Sequence, residues 1–436
     1  MNNNIKSSLH FLNMATSSPH LELHICHILQ SVNKYDICHV IFMDDKNLCS
    51  TLNPFGRNPI SKNIDQRNNE IKNYLKNHKN IVFNKIILKN LSENNKLTKL
   101  KSKIKKEIGA SLIEEIYSEL EIAVFSGIAS YTRICSVNEL PKKWLKASKN
   151  LFCTSLQLFD FFNSYIPSKN INDTYCFNGR FSCSKALTLS SKFNGINYFV
   201  YDLNRGNNSY IFKNKSLHSI QENTKRANLL YKKDKEFANL TAAKFYQNRR
   251  IGKFTYEESF TKHQKKGRTN INSKKKIITI YTSSDDEYSF IGKEWEGVKP
   301  LDQVDEIRTL CENLNQEYKV VVKMHPNQFN IPKQKMNEYK RKILPPTKLL
   351  LPHSKVDSYA LMDKSEIIIT FVSLMGPEAN YYDKNTITIG PCPYMKLNIG
   401  NNVKDAKEAL KIISSGKFNK DKEGAIIWAN YLMNYG

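Results

Sequence analysis

The feature that most constrains this chain is the rhythm of its second half. Between Lys276 and Pro391, short β-branched runs alternate with helical segments: KIITIYTSS, DQVDEIRTLCENL, EYKVVVKMHPN, KVDSYALMDKS, EIIITFVS, MGPEANYYDK and NTITIGP. Parallel neighbours in a sheet need a helical crossover, so this alternation predicts a doubly wound α/β domain. The first half carries the same order more loosely. TSSPHLELHICHILQSV reads as a loop entering a helix near Ser18, and CHVIFM as a strand ending at Asp44-Asp45. Residues 64–120 are charged and helical in pattern. TYCFNGRF, SCSKALTLSSKF and INYFVYDL form a further β-α-β unit. The expected architecture is therefore α/β, with two Rossmann-like doubly wound domains at residues 1–248 and 276–436, joined by a polar, basic connection at 249–275. The last helix is expected to cross back toward the first domain.

Composition removes several classes. The chain has 436 residues, 40% hydrophobic and 11% aromatic, which excludes disorder. No apolar run is long enough for a transmembrane helix. The N-terminus lacks an unbroken apolar core, which argues against a secretory signal. The nine cysteines form no CxxC pair, so reduced thiols and a cytoplasmic location are expected. The formal charge is +25, from 66 Lys and Arg against 41 Asp and Glu. Most of that charge is Lys travelling with Asn along the whole chain, which reads as compositional bias. Two denser runs stand out, Lys96–Lys106 and Lys262–Lys276. Either is a solvated face or linker, or a patch for an anionic membrane or polyanionic substrate. No zinc-finger, RNP or basic heptad pattern supports nucleic-acid recognition.

Three strand ends in the second half carry candidate chemistry, because ligands of such sheets bind at the carboxyl ends of the strands. Ser283 and Ser284 end the first strand, where hydroxyls and free N–H groups suit phosphate oxygens; a plain helix cap would use the same residues. Lys323 and His325 end the second strand on one side, a cation and an imidazole able to neutralise a leaving phosphate. Ser373, Gly376 and Glu378 lie where the third strand turns into a helix. Glu378 there suits the two hydroxyls of a ribose, or simply the helix dipole. Asp285-Asp286 are adjacent and point apart on an extended stretch, a poor metal clamp, and no HExxH occurs, so no metal and no cofactor are expected. In the first half, His20, Glu22 and Asp44 are candidate bases; His20 stands at a helix start, where the dipole favours a neutral imidazole, though a surface or capping role fits equally. Trp295 is expected in the core or under the inter-domain loop.

The segment GPEANYYDKNTITIG resembles the Gly-x-Glu-Ala region near the end of GT-B glycosyltransferases, and KMHPN resembles the His-Pro motif of bacterial sialyl- and Kdo-type transferases. Together with TSSDDEYSFIGKEWEG, FNGRF, DLNRGNNSYIFKN and LHSI, the order of motifs over residues 172–392 resembles the bacterial capsular and surface polysaccharide biosynthesis proteins. The chain departs from that pattern at Asp383-Lys384-Asn385, where relatives carry Gly-Lys-Pro, and at Asn204, where they carry an acid. The resemblance implies a GT-B-like fold, its two domains facing across a cleft. The first domain would serve the acceptor and the second a nucleotide-sugar donor, CMP- or UDP-linked. His325 would contact the donor phosphate, with Ser283, Ser284, Lys323, Ser373 and Gly376 around it and Glu378 on the ribose. Asn178, Arg180 and Arg205 would face the cleft and bind an anionic acceptor or a donor carboxylate. The implied activity is metal-independent transfer of a sugar to a capsule, lipopolysaccharide or related glycan, free or lipid-linked, at the inner membrane surface. A sugar-nucleotide epimerase or hydrolase, or a non-catalytic polyanion-binding protein, are the alternatives.

Overall fold

The computed structural model describes residues 5–12, 18–43, 61–88, 94–203, 209–253, 263–292, 295 and 302–435. Two six-stranded sheets organise them. The first contains β1 (Ser7–Leu12), β2 (Ile37–Met43), β3 (Ile81–Ile86), β4 (Ile171–Phe177), β5 (Asn197–Leu203) and β6 (Ser209–Lys213), in the order β3-β2-β1-β4-β5-β6. All its pairings are parallel except β5 with β6. Its helices are α1 (Ser18–Val32), α2 (Ser61–Leu75), α3 (Asn94–Ile108), α4 (Ala110–Thr132), α5 (Lys142–Ser168) and α6 (Ser182–Phe193).

The second sheet contains β7 (Ile277–Tyr281), β8 (Lys319–Lys323), β9 (Lys348–Leu350), β10 (Ile367–Thr370), β11 (Asn385–Ile389) and β12 (Asn401–Val403). Its order is β12-β11-β10-β7-β8-β9, wholly parallel. Around it lie α9 (Gln303–Leu314), α10 (Lys333–Lys342), α11 (Ser358–Lys364), α12 (Met375–Tyr381) and α13 (Ala406–Ser415). Both sheets thus have the 3-2-1-4-5-6 order of a Rossmann domain, with a switch point between the first and fourth strands. The α/β expectation of two doubly wound domains is met.

The two-residue period of the strands decides which helices cover which face. Ile278, Ile280, Val320, Val322, Ile367, Ile369, Ile387 and Ile389 form one buried layer with Val304, Ile307 and Leu310 of α9 and Ala406, Ala409 and Ile413 of α13. Ile277, Tyr281, Val321 and Ile368 point the other way, onto Leu361 and Met362 of α11 and Ala379 of α12. A strand hydrophobic on both faces must be covered on both, and the helices between the strands do this.

Two stretches differ from expectation. Residues 64–120 contain β3 between helices, a strand (IVFNKI) whose short apolar run lies inside a lysine-rich stretch of helical pattern and is only partly buried. The connection read from residue 249 begins inside a helix: α7 (Ile220–Lys233) and α8 (Lys235–Ile251) precede it, and α8 ends at Gly252 with φ 73°. The last helix, α14 (Glu423–Asn434), packs on α7 and α8 through Ala425, Trp428 and Tyr431. Tyr431 donates to Asn223 Oδ1 of α7 at 2.6 Å, and Tyr435 stacks edge-on against Phe212 of β6. The chain end therefore returns to the first domain's sheet. Among the described residues no helix is long and apolar enough to cross a membrane.

Candidate active site

Strand register places the candidate residues. Tyr281 of β7 pairs with Lys323 of β8 on one side and with Thr370 of β10 on the other, so the three strands end level. The turns after them, 282–288, 324–330 and 371–374, therefore open at one edge, with the β7/β10 switch point between them. Across from this edge, β4 ends at Phe177 and leads through Asn178-Gly179 to Arg180 at the first domain's own switch point. Both Asn178 and Gly179 have positive φ, 59° and 72°, and a side chain on Gly179 would meet Val200 Cγ1 at 2.6 Å. Only glycine fits that close approach.

The β7 turn is tightly built. Gln303 of α9 accepts from Ser283 N at 2.8 Å and donates to Asp285 Oδ1 at 2.6 Å. Ser284 Oγ donates to Asp286 Oδ1 at 2.6 Å. Both serines are buried; Ser284 supports the turn through its hydroxyl and Ser283 through its backbone. Three carboxylates in succession would repel one another and any phosphate. Burial is the main cause that pushes Asp285 up to about 7, and burial likewise raises Glu287. The first domain supplies the compensating charge: Arg133, at the left-handed cap of α4, pairs with Asp286, and Arg180 donates to Glu287 O at 2.7 Å and to Ser130 Oγ at 2.9 Å. Trp295, stacked on Tyr288, donates to His218 O of the first domain at 2.9 Å. These contacts clasp the domains together at their strand tips.

His325 caps the short turn Pro326–Asn330 with its imidazole. Nδ1 accepts from Asn327 N at 3.2 Å, and His325 N donates to Thr282 Oγ1 at 2.8 Å and to Gln328 Oε1 at 3.0 Å. Burial, reinforced by Lys323 and Arg133, lowers its pKa to about 4. The ring is therefore neutral, and with Nδ1 accepting, its proton sits on Nε2. Asn327 Nδ2 donates to Glu287 Oε1 at 2.7 Å, tying the β8 turn to the β7 turn. In the β10 turn, half-buried Ser373 accepts from Met375 N at 3.2 Å, and a Cβ at Gly376 would sit tightly against Thr370 Oγ1 and Tyr394 Oη, both 3.0 Å away.

Several expected ligand residues are otherwise engaged. Glu378 is fully buried, with Oε1 ion-paired to Arg249 Nε of α8 at 2.5 Å and Oε2 enclosed without a hydrogen bond, so burial keeps both oxygens from a ribose at the crevice; the ribose role is corrected to a packing role. Lys323 is buried and its ammonium donates to Val356 O at 3.0 Å, so it acts on the site through its charge, which bears on His325. Asn178 Nδ2 is held by Asp202 Oδ2 at 2.7 Å. Arg180 serves the clasp in place of a substrate carboxylate. Arg205, Asn204 and Asp44 lie outside the described residues, and His20 stands in the first turn of α1 with its side chain outside them. Glu22 is exposed on α1. Among the described residues no group of three or more His, Cys, Asp or Glu is placed to hold a metal ion.

Sequence reading missed Arg133, Arg249, Gln303 and Asn327. Each acts on a partner far away in the chain, and only Asn327, two residues past His325, sat inside a motif already singled out.

No protein-family model matches the chain, and no curated protein matches it in sequence. Solved structures do. Similar ones include KpsC, a β-Kdo 2,4 transferase from Thermosulfurimonas dismutans, at 13% identity and TM-score 0.40, covering 60% of this chain and 80% of that one. The UDP-GlcNAc 2-epimerase of Neisseria meningitidis is similar at 10% identity and TM-score 0.32, covering 99% of this chain and 96% of that one. Acinetobacter baumannii MurG is similar at 10% identity and TM-score 0.30, covering 98% and 94%. Transferases and epimerases both occur in this set, and at these scores the likeness does not choose between them.

Proposed function

We propose that this protein is a GT-B-type glycosyltransferase that takes its sugar from a nucleotide-sugar donor, CMP- or UDP-linked, and passes it to a capsule, lipopolysaccharide or related surface glycan. The observation that carries the reading is the level ending of β7, β8 and β10 at a Rossmann switch point, with a neutral His325 fixed at the middle of that edge. A nucleotide lies at such an edge with its phosphates against the turns. His325 Nε2–H then donates to the phosphate that departs with the nucleotide. Donation to a developing charge in a water-poor crevice is worth more than the same bond in water. Ser373 completes the cradle, and Arg133 and Arg180 supply positive charge from across the cleft. The acceptor, free or lipid-linked, would enter from the first domain near α1, where His20 is the proposed base. Metal independence is part of the proposal, since the departing charge is met by imidazole and guanidinium groups.

A panel of CMP, UDP, GDP and their sugars tests the donor assignment by thermal shift. Binding to the folded state raises apparent stability by mass action, so one nucleotide is expected to stand out. Labelled donor then separates the chemistries. A glycosylated acceptor supports transfer, whereas free sugar or an epimer overturns it. Transfer is expected to persist in EDTA; complete loss restored by Mg²⁺ or Mn²⁺ would remove metal independence. His325→Ala is expected to lower turnover by roughly a hundredfold or more, and full activity in that variant would take His325 out of the mechanism.

A further inference from the structure

We infer that the junction of α7 and α8 is a docking surface for an anionic lipid bilayer. One residue, Asp234, separates the two helices, and it caps α8 by accepting from Phe237 N at 2.8 Å. Large apolar side chains stand exposed on both sides of that break: Leu229 at 58%, Phe237 at 50% and Leu240 at 66%. Phe237 and Leu240 are three residues apart and share one face of α8, with Lys244 a turn further on. Leu229 shares a face of α7 with Lys232 and Lys233 and with Lys225 on the turn before. Lys225, Lys232, Lys233, Lys235 and Lys244 are all exposed. The acids on these two helices and their junction are Asp234, Glu236 and the half-buried Glu222, with Glu423 and Asp421 of the C-terminal segment beside Tyr231; the exposed lysines of α7 and α8 outnumber the acids on those helices.

Exposed apolar side chains ringed by long cationic ones match the interfacial region of a membrane. The aliphatic and aromatic groups enter the acyl boundary while the ammonium groups stay at the phosphates. The lysine run on α3 lacks this combination. On α3, Ile104 and Ile108 turn into the core, and the outward residues Lys96, Lys99, Lys105 and Lys106 have no exposed apolar neighbour on their helix. That face can attract an anionic surface but has nothing to insert. The inner sides of α7 and α8 pack on α14, so the corner is carried on a rigid support.

This extends the proposed function by naming the surface that would meet the membrane, and it is tested without donor or acceptor, so either can fail alone. The full chain is sedimented with vesicles of phosphatidylcholine, with and without phosphatidylglycerol. Binding is expected only to the anionic vesicles. Lys232→Glu, Lys233→Glu and Lys235→Glu together are expected to lower partitioning by at least about fivefold per residue changed. Phe237→Ser with Leu240→Ser is expected to lower it roughly tenfold with an unchanged melting profile, because both side chains are exposed. Lys99→Glu, Lys105→Glu and Lys106→Glu on α3 make the same change in net charge and are expected to retain most binding. The inference is overturned by absence of binding to anionic vesicles, by an equal loss in the α3 variant, by indifference to the apolar substitutions, or by a dimer in solution that those substitutions dissociate.

Discussion

Three imidazoles outside the crevice share the neutral state of His325. His10 is fully buried and stacked on Tyr175, and burial holds its pKa well below the usual value, with His27 and His24 adding to the effect. Burial lowers His27 to about 4 and His218 to about 3. In the unfolded chain each titrates near 6.5. Below that pH the unfolded state binds protons that the folded state refuses, so stability present above about 6.5 is lost as pH falls toward 4. Asp285, raised to about 7, works in the opposite sense: its contribution is present at low pH and lost as pH rises through 7. The imidazoles outnumber it, so denaturant melts are expected to show stability falling between pH 6.5 and 4, and a flat profile there would mean these rings are hydrated. The Arg249–Glu378 pair makes a second residue-scale prediction. Removing one member of a buried pair strands the other, so Arg249→Ala is expected to cost about 3–5 kcal/mol in chemical denaturation. A loss below ~1 kcal/mol would place Glu378 in contact with solvent, and would reopen its ribose role. Glu378 looked like a ligand in the sequence because its position, one residue into a helix after a Gly-Pro, is right for one. Arg249, from a helix more than a hundred residues earlier, took that place.

At the scale of elements, four strands of the second sheet, β7, β8, β10 and β11, were legible because each is a β-branched run bounded by turn residues and buried on both faces; the three-residue β9 (KLL) and β12 (NNV) carry no such run and were not. β3, IVFNKI, was not read either: it lies in a lysine-rich stretch of helical pattern, and its two exposed residues, Val82 and Lys85, do not alternate with buried ones. The return of α14 onto α7 and α8 was legible only in outline, because its register depends on contacts distant in sequence. One such contact is a glycine. A Cβ at Gly424, in the first turn of α14, would lie 1.9 Å from Leu397 O. Gly424→Ala is therefore expected to destabilise the protein by roughly 1–3 kcal/mol and to loosen α14 from the turn at 395–397. A thermal melt with limited proteolysis of the C-terminus measures both, and an unchanged melt would show that the turn shifts freely. Lys96–Lys106 forms the solvated face of α3 that charge patterning allows, with Lys103 paired to Asp160 at 2.6 Å and Lys101 lying over the Tyr117 and Phe152 rings.

For the whole molecule, the decisive feature is the clasp between the domains. Arg133 and Arg180 reach from the first domain to a turn of three carboxylates in the second, and Trp295 reaches back. Burying that many charges is tolerable only while they neutralise one another. Arg133→Ala leaves Asp286 buried without its counter-charge, so the domains are expected to part. Small-angle scattering should then show a larger radius of gyration, with faster proteolysis around residues 284–292. Unchanged scattering would mean that the remaining contacts suffice. The same clasp bears on ligand entry, since an anionic donor must compete with the acidic turn for the two arginines. Tightened scattering curves on adding the nucleotide that stabilises the protein would show that exchange.

Local sequence fixes the α/β class, the two Rossmann-like halves, and three strand ends before Ser283, at His325 and at Phe371, within two residues of where the structure ends β7, β8 and β10. These follow from local alternation of hydrophobicity and from turn chemistry, which act over a few residues. Tertiary structure alone decided which polar groups stay available. Glu378, Lys323, Arg180 and Ser284 are at the turns the sequence marked, yet each side chain is taken up by a partner: Arg249, the carbonyl of Val356, the carbonyl of Glu287 and Asp286; Ser283 is held through its backbone N by Gln303. A buried charge or hydroxyl must find its counterpart wherever the folded chain offers one, and that choice is made across the whole molecule.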